Sequence, residues 1–227
     1  MTTRWILVIA LGAALAPVPA RAGEVSGKAL FKGTPPAAKT VPSEKDASVC
    51  GRSHREFPAA EVGVGGGLKD VVVQILGMAD GRPPGSVTLD QKKCVFVPGV
   101  LVLPKGWTLQ ITSSDPILHN THAFWEDGTT AFNLAVPIQG MVLKWKAGKA
   151  GRLKVRCDAG HTWMGAAIAV TETPYAAVTK EDGSFTLAGV PPGSYTVEAW
   201  HPLLGKSTQK VTVGATTPPV TFEFSGS

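Results

Sequence analysis

Long apolar runs, dense charge and paired catalytic groups are all scarce in this sequence of 227 residues. After residue 22 no stretch reaches eighteen consecutive apolar residues, which argues against a membrane-spanning helix in the remainder. Only 17% of residues are charged while 44% are hydrophobic, so the chain can bury a core and is not a disordered polyelectrolyte. The 22 Lys and Arg form no run, and nucleic acid is not an expected partner. No Gly-x-Ser-x-Gly elbow, His-Glu-x-x-His helix or usefully spaced carboxylate pair is found, so the chain does not read as an enzyme. Gly63, Gly65, Gly66 and Gly67 lack a following Gly-Lys-Ser/Thr, which leaves a flexible turn rather than a phosphate-cradling loop.

Glycine and proline, by contrast, are abundant (26 and 18) and recur at short intervals. Such spacing disfavours long helices and favours short strands joined by turns, an all-β chain. Residues 1–22 read as a leader. Arg4 gives a positive start, residues 5–16 an apolar stretch too short to span a bilayer, and Ala20-Arg21-Ala22 a cleavage signal. Cleavage near Ala22 would deliver a periplasmic or secreted protein that is not membrane-embedded. It would leave 20 basic against 17 acidic side chains, a mild bias suited to solubility and partner steering.

The expected organisation is a leader at 1–22, a β segment at 23–89, a first domain at 90–172 and a smaller β-sandwich at 173–227. Residues 23–33 read as an alternating first strand and 71–76 as a buried β-branched run; either could pack with the C-terminal module and make it discontinuous. Further strands are expected at 94–97, 100–103, 108–112, 141–145, 152–157 and 166–171. In residues 152–157, Leu153, Val155 and Cys157 alternate with Arg152, Lys154 and Arg156, which puts Cys157 on the buried side. Asp182-Gly183 reads as a hairpin turn, and strands at 195–200, 207–213 and 220–224 complete the chain.

Three cysteines in an oxidising compartment leave one sulfur over. The simplest partition is a Cys50–Cys94 disulfide with Cys157 free for chemistry; a free Cys50 or Cys94, or a different pairing, stays open. Closing a loop of that length would stabilise by roughly 4 kcal/mol in the chain-entropy model.

Cys157 is followed by His161 and Met164 at spacings of four and three, with Asp115-Pro-Ile-Leu-His119-Asn120-Thr-His122 upstream. A thiolate, an imidazole and a thioether from one loop, with a remote imidazole, make a His₂Cys set with a weak axial Met, the donor mixture of blue copper. Soft sulfur suits Cu(I) and imidazole suits Cu(II), so a rigid compromise lets an electron leave with little rearrangement. His122, three residues from His119 on a strand, would face the other side. Isolated surface or packing roles suit His54 and His201.

At these residues the sequence resembles the cupredoxins, over about residues 93–171. Leu118-His119-Asn120-Thr121-His122 is similar to the first-ligand segment of amicyanin and plastocyanin. The resemblance implies a Greek-key β-sandwich and one type-1-like copper ion on His119, Cys157, His161 and Met164. It also implies that Asn120 ties the two ligand loops together and that electrons leave through an exposed edge of His161. Trp163, between two ligands, would shield the metal. Related sequences usually read Cys-Asp-x-His-Pro-Trp-Met, whereas Gly160 adds a residue here and Thr162 replaces Pro. The longer spacing is like that of a binuclear copper site, but the second Cys which that site needs is Leu153. Residues 179–201 resemble a carboxypeptidase-regulatory-like, transthyretin-like β-sandwich, a pairing similar to that of exported bacterial proteins of the methylamine-utilisation type.

The leading expectation is therefore a periplasmic one-electron carrier whose redox partner is a c-type cytochrome or a periplasmic dehydrogenase. Copper storage or delivery, with the same ligands, is the first alternative. A metal-free module contacting envelope proteins or carbohydrate is the second. Zinc on Cys157, His161, His119 and His122 would leave Met164 unexplained.

Overall fold

The computed structural model describes residues 22–79 and 81–226, so the expected leader, apart from Ala22, lies outside the described residues. The first third of the chain contributes β1 (Gly23–Lys32), β2 (Thr40–Pro42), the one-turn α1 (Ala47–Cys50), β3 (Ser53–Arg55) and β4 (Val72–Ile75). The middle contributes β5 (Ser86–Lys92), β6 (Val95–Val97), β7 (Val100–Pro104), β8 (Thr108–Ser113), β9 (His119–Trp125), β10 (Thr130–Val136), β11 (Val142–Lys146), β12 (Gly151–Arg156) and β13 (Gly165–Thr171). The last part contributes β14 (Ala176–Val178), β15 (Ser184–Val190), β16 (Gly193–His201), β17 (Gly205–Val213) and β18 (Val220–Ser225). Among the described residues the chain is all-β apart from α1 and a short 3₁₀ turn. Among the described residues no helix is long and apolar enough to cross a membrane.

Strands β5 to β13 build a first sandwich from a five-stranded sheet, β10-β9-β12-β13-β7, and a four-stranded sheet, β11-β8-β5-β6. The chain passes repeatedly between the two sheets, and the β5–β8 and β7–β13 pairs are parallel, each joining strands distant in sequence. Alternation fixes which side chains meet: Leu109 and Ile111 from β8, Ala123 from β9, Leu153 and Val155 from β12, and Ile168 from β13 all enter one core. β5 starts at Ser86, so it straddles the boundary expected at residue 90. Its apolar positions, Val87 and Leu89, alternate with polar ones just after Pro83-Pro84, a weak signal that pairing with β8 and β6 overrides.

The second sandwich joins distant parts of the chain. β1 lies between β15 and β18, and β4 lies between β14 and β16, with β17 at the edge. Gly27 sits where β1 passes Val220; a Cβ there would stand 1.8 Å from the Val220 carbonyl oxygen, so only glycine fits. The turn at Asp182-Gly183, read from sequence as a hairpin, instead carries the chain from β14 in one sheet to β15 in the other. The Asp-Gly pair turns the backbone locally, with Gly183 at φ 74°, but strand pairing is decided by β1 and β4 arriving from the N-terminal segment.

β13 and β4 hold the two sandwiches together. Ala166, Ile168 and Val170 point into the first core, while the small Ala167 and Ala169 face Val72 and Trp200 of the second sandwich. Arg152 completes this junction, stacked 4.8 Å from the Trp200 ring and 2.5 Å from a Glu198 carboxylate oxygen.

Candidate metal centre

The centre lies at one end of the first sandwich, where β9 begins and β12 ends. β9 alternates so that His119, Thr121 and Ala123 face inward while Asn120 and His122 face outward. β12 continues its inward series from Leu153 and Val155 to a buried Cys157. The chain then turns through Asp158, Ala159 and Gly160, the last at φ 91°, and a backbone bond from Met164 N–H to the His161 carbonyl (3.0 Å) closes a tight loop before β13. Folding thus brings a ring nitrogen of His119, the Cys157 sulfur and a ring nitrogen of His161 within 4.8 Å of one another, all buried. Met164 is buried in the same core cluster.

Each imidazole has one nitrogen committed to a carboxylate. His119 Nε2–H donates to Asp115 Oδ2 at 2.9 Å, and His161 Nε2–H donates to Asp46 Oδ2 at 3.0 Å. A carboxylate can only accept, so the Nδ1 atoms keep the free lone pairs. Nδ1 of His161 lies 3.7 Å from Cys157 Sγ, and Nδ1 of His119 is buried with no hydrogen-bond partner. A buried, unpartnered acceptor beside a thiol and a second free imidazole nitrogen fits a metal ion better than an empty core. Burial pushes the Cys157 thiol up, against backbone N–H groups that favour the thiolate, and burial also holds His161 below its ordinary value. Without metal the site therefore favours a neutral thiol and a neutral imidazole, and a bound cation would displace the thiol proton.

Asn120 bridges the two ligand segments. Its backbone N–H donates to Cys157 Sγ (3.4 Å), its side-chain oxygen accepts from Asp158 N–H (3.2 Å), and its side-chain nitrogen donates to Asn133 (2.6 Å). His122 stands on the outer face, held by Asp158 and Thr130 and packed on Phe124, away from the cluster.

The segment between β2 and β3 covers the centre, which sequence reading did not anticipate. The disulfide joins Cys50 to Cys94 and anchors α1 against the β5–β6 turn. Lys45 Nζ donates to the Ala159 carbonyl, Asp46 reaches His161, and the His54 ring lies flat on Trp163 with centroids 4.7 Å apart. Trp163 meets His161 edge to face at 5.4 Å, and its indole N–H donates to the Cys94 carbonyl. As a result His161 is 0% exposed, and the open imidazole edge expected from the cupredoxin resemblance is absent. The covering segment fills the place where that edge would meet solvent.

Asp115 has a second task. Lys93 and Cys94 form the β5–β6 turn with φ of 52° and 56°, values unusual for residues other than glycine or asparagine. Their two N–H groups both donate to the Asp115 carboxylate, at 2.7 and 2.8 Å, which offsets the cost of that conformation. Asp115 is four residues before His119 and was within sight of a sequence reading. Asp46, Lys45 and His54 lie in an irregular polar stretch that carries no comparable signal.

The two all-β sandwiches find partial counterparts among known proteins. A family model for the carboxypeptidase regulatory-like domain matches residues 152–225, about a third of the chain. That span includes β12 and β13, which belong here to the first sandwich, and omits β1 and β4, which belong to the second. No curated protein matches the chain. Among solved structures, a purple cupredoxin from Nitrosopumilus maritimus is 20% identical, covering 37% of this chain and 98% of its own, with a TM-score of 0.33. A methionine-to-alanine mutant of amicyanin in its Cu(I) form is 18% identical over 44% of this chain and 98% of its own, with a TM-score of 0.33. A copper-containing nitrite reductase from Thermus scotoductus is 22% identical over 44% of this chain and has a TM-score of 0.34; the match spans 25% of that reductase.

Proposed function

We propose that this chain is an exported copper protein that carries one electron at a time, with His119, Cys157, His161 and Met164 as its donor set. One observation carries the reading: both buried imidazoles commit Nε2 to a carboxylate and keep Nδ1 free beside the Cys157 sulfur. A copper ion held there would supply a one-electron Cu(I)/Cu(II) couple. The chain supplies the rest. Asp115 and Asp46 fix the tautomer and orientation of the rings. The Asn120 N–H draws charge from the Cys157 sulfur, and Trp163 with the covering segment keeps water out. No substrate bond is made or broken in this reading.

Because His161 is covered, the route to the surface runs through aromatic contacts: from His161 to Trp163, and from Trp163 to the half-buried His54 stacked on it. A periplasmic c-type cytochrome or dehydrogenase docking near His54 would receive the electron, with the small basic excess assisting a transient encounter.

Copper storage or delivery is the second reading, and the Asp46 and Lys45 cover over His161 favours it, since an ion under a latch is retained rather than quickly exchanged. Reconstitution of the mature chain with Cu(II), followed by a visible spectrum and a redox titration, separates the two. An intense thiolate-to-copper band that bleaches reversibly on reduction is the carrier's signature. Tight copper uptake without that band would favour retention, and no uptake would remove both readings.

A further inference from the structure

The Cys50–Cys94 disulfide does more than anchor α1: it lies directly against the histidines. Both of its sulfurs are within 4.8 Å of a ring nitrogen of His161 and of each other. The Cys94 sulfur also lies within that distance of a ring nitrogen of His119 and a carboxylate oxygen of Asp115. All five residues are buried. As a disulfide the two sulfurs are poor ligands; as thiolates they would stand with His161 as a compact S₂N set.

We propose that Cys50, Cys94 and His161 form a second, soft-metal site that exists only when the disulfide is reduced, and that its ion is Cu(I). Two thiolates and one imidazole suit a soft monovalent ion in a dry cluster. The inference shares His161 with the function proposed above but does not depend on Cys157.

The redox step requires a dithiol reductant. Cys50 is the more accessible partner, 6% exposed against 0% for Cys94, and it sits at the end of the surface turn α1. A thiolate of the reductant attacks the Cys50 sulfur, the Cys50–Cys94 bond breaks, and Cys94 leaves as a thiolate that takes up a proton. The reductant's second thiol then attacks the mixed disulfide and releases Cys50, which is likewise protonated. Two electrons have passed to the protein, and the reductant departs as its own disulfide. Binding of Cu(I) displaces the two thiol protons and adds no further redox change.

The shared ligand makes the two sites exclusive. With the disulfide closed, His161 serves Cys157; with it open, the same ring can serve Cys50 and Cys94 instead. A single ion would therefore change its sulfur partners with the thiol state of the protein while the protein keeps a copper stoichiometry of one. Asp46 holds the ring through Nε2, while Nδ1 lies 3.7 Å from the Cys157 sulfur.

The test uses Cys157→Ala protein, which removes the first site. Its disulfide is left closed in one sample. In the other it is opened with a phosphine reductant, which is then removed without air, and free thiols are counted by a colorimetric thiol assay. Cu(I) is titrated into each against a chromogenic Cu(I) chelator, and copper X-ray absorption reads the ligands. The expected result is two thiols and one Cu(I) in the reduced sample, bound at least tenfold more tightly than in the oxidised one, with two sulfur neighbours. Adding His161→Ala should lower that affinity at least tenfold while two thiols are still counted. Equal binding in the reduced and oxidised samples would overturn the proposal. So would an unchanged affinity after His161→Ala, or loss of the near-ultraviolet circular dichroism of the fold on reduction. Colour in the unsubstituted oxidised protein is a separate result and bears only on the Cys157 site.

Discussion

Asp46 and His161, 115 residues apart in sequence, meet through a contact of 3.0 Å between Oδ2 and Nε2. Asp46 stands at the head of α1 in the left-handed region, φ 52°, a conformation Asp tolerates better than most residues. Its carbonyl starts the helical turn by accepting from Val49 and Cys50, and its side chain makes no helix-capping bond, so the carboxylate reaches the imidazole. One residue thus shapes the covering segment and holds the ring beneath it.

Asp46→Ala should loosen that cover without disturbing either core. Removing a carboxylate behind a metal-binding histidine typically weakens metal affinity by about 10- to 100-fold. The expected outcome is a loss of copper affinity in that range and faster copper release to a chelator, with thermal stability nearly unchanged. Unaltered affinity and release would show that Asp46 plays no part in holding the ring.

Asp115→Asn is predicted to be more damaging. Three N–H donors converge on this carboxylate, from Lys93, Cys94 and His119. An amide offers one accepting oxygen and turns an NH₂ toward the remaining donors. Losing a charged hydrogen bond costs about 1.5–3 kcal/mol, so a destabilisation of at least about 3 kcal/mol is expected, read from the denaturation midpoint. Copper affinity should fall as well, since the His119 ring loses its anchor. A midpoint within experimental scatter of the parent would contradict this account.

Much of this arrangement was legible before folding. Alternation put Cys157 in phase with Leu153 and Val155, and spacing grouped it with His161, because strand and tight-loop geometry are local properties. The disulfide was legible as the simplest partition of three cysteines. The carboxylates behind the histidines were not. Asp46 reaches His161 only after residues 43–56 fold back over the end of the first sandwich, a long-range event that leaves no periodic trace. The exposure expected at His161 failed for the same reason. The second sandwich was half legible: β1 and β4 alternate or run apolar by themselves, but their partners are set by β15, β16 and β18 far along the chain.

Substitutions at the sulfurs separate the roles of the ligand loop. Cys157→Ala should abolish any thiolate-to-copper colour, since the charge-transfer band requires that sulfur. Met164→Leu should retain metal and raise the potential, because an apolar side chain in place of the weak axial donor leaves the doubly charged ion, with one ligand fewer and a drier surrounding, less stabilised than Cu(I). A tenfold loss of Cu(II) affinity alone corresponds to about 59 mV for one electron. Colour that survives in Cys157→Ala would transfer the thiolate role elsewhere, with Cys50 or Cys94 then the sulfurs to examine by substitution.

His201 gives the fold a pH response independent of metal. It ends β16 fully buried, with Nδ1 accepting from Leu203 N–H at 3.1 Å and Nε2 without a partner. Burial lowers its pKa from 6.5 to about 4. Between those values the unfolded chain binds the extra proton and the folded chain does not, so stability is complete above pH 6.5 and falls as pH drops toward 4. At about pH 4.5 the loss from this one residue is on the order of 2–3 kcal/mol. His54 is shifted in the same direction by burial and adds to the slope, as does His161 in the metal-free protein. His201→Asn keeps an acceptor near the Nδ1 position and removes the titration. Urea denaturation at about pH 7 and about pH 4.5 should therefore show a smaller acid loss in the variant than in the parent, with the remaining slope carried by the other histidines. An identical loss in both proteins would mean that water reaches the His201 ring and that its burial imposes no penalty on the charge.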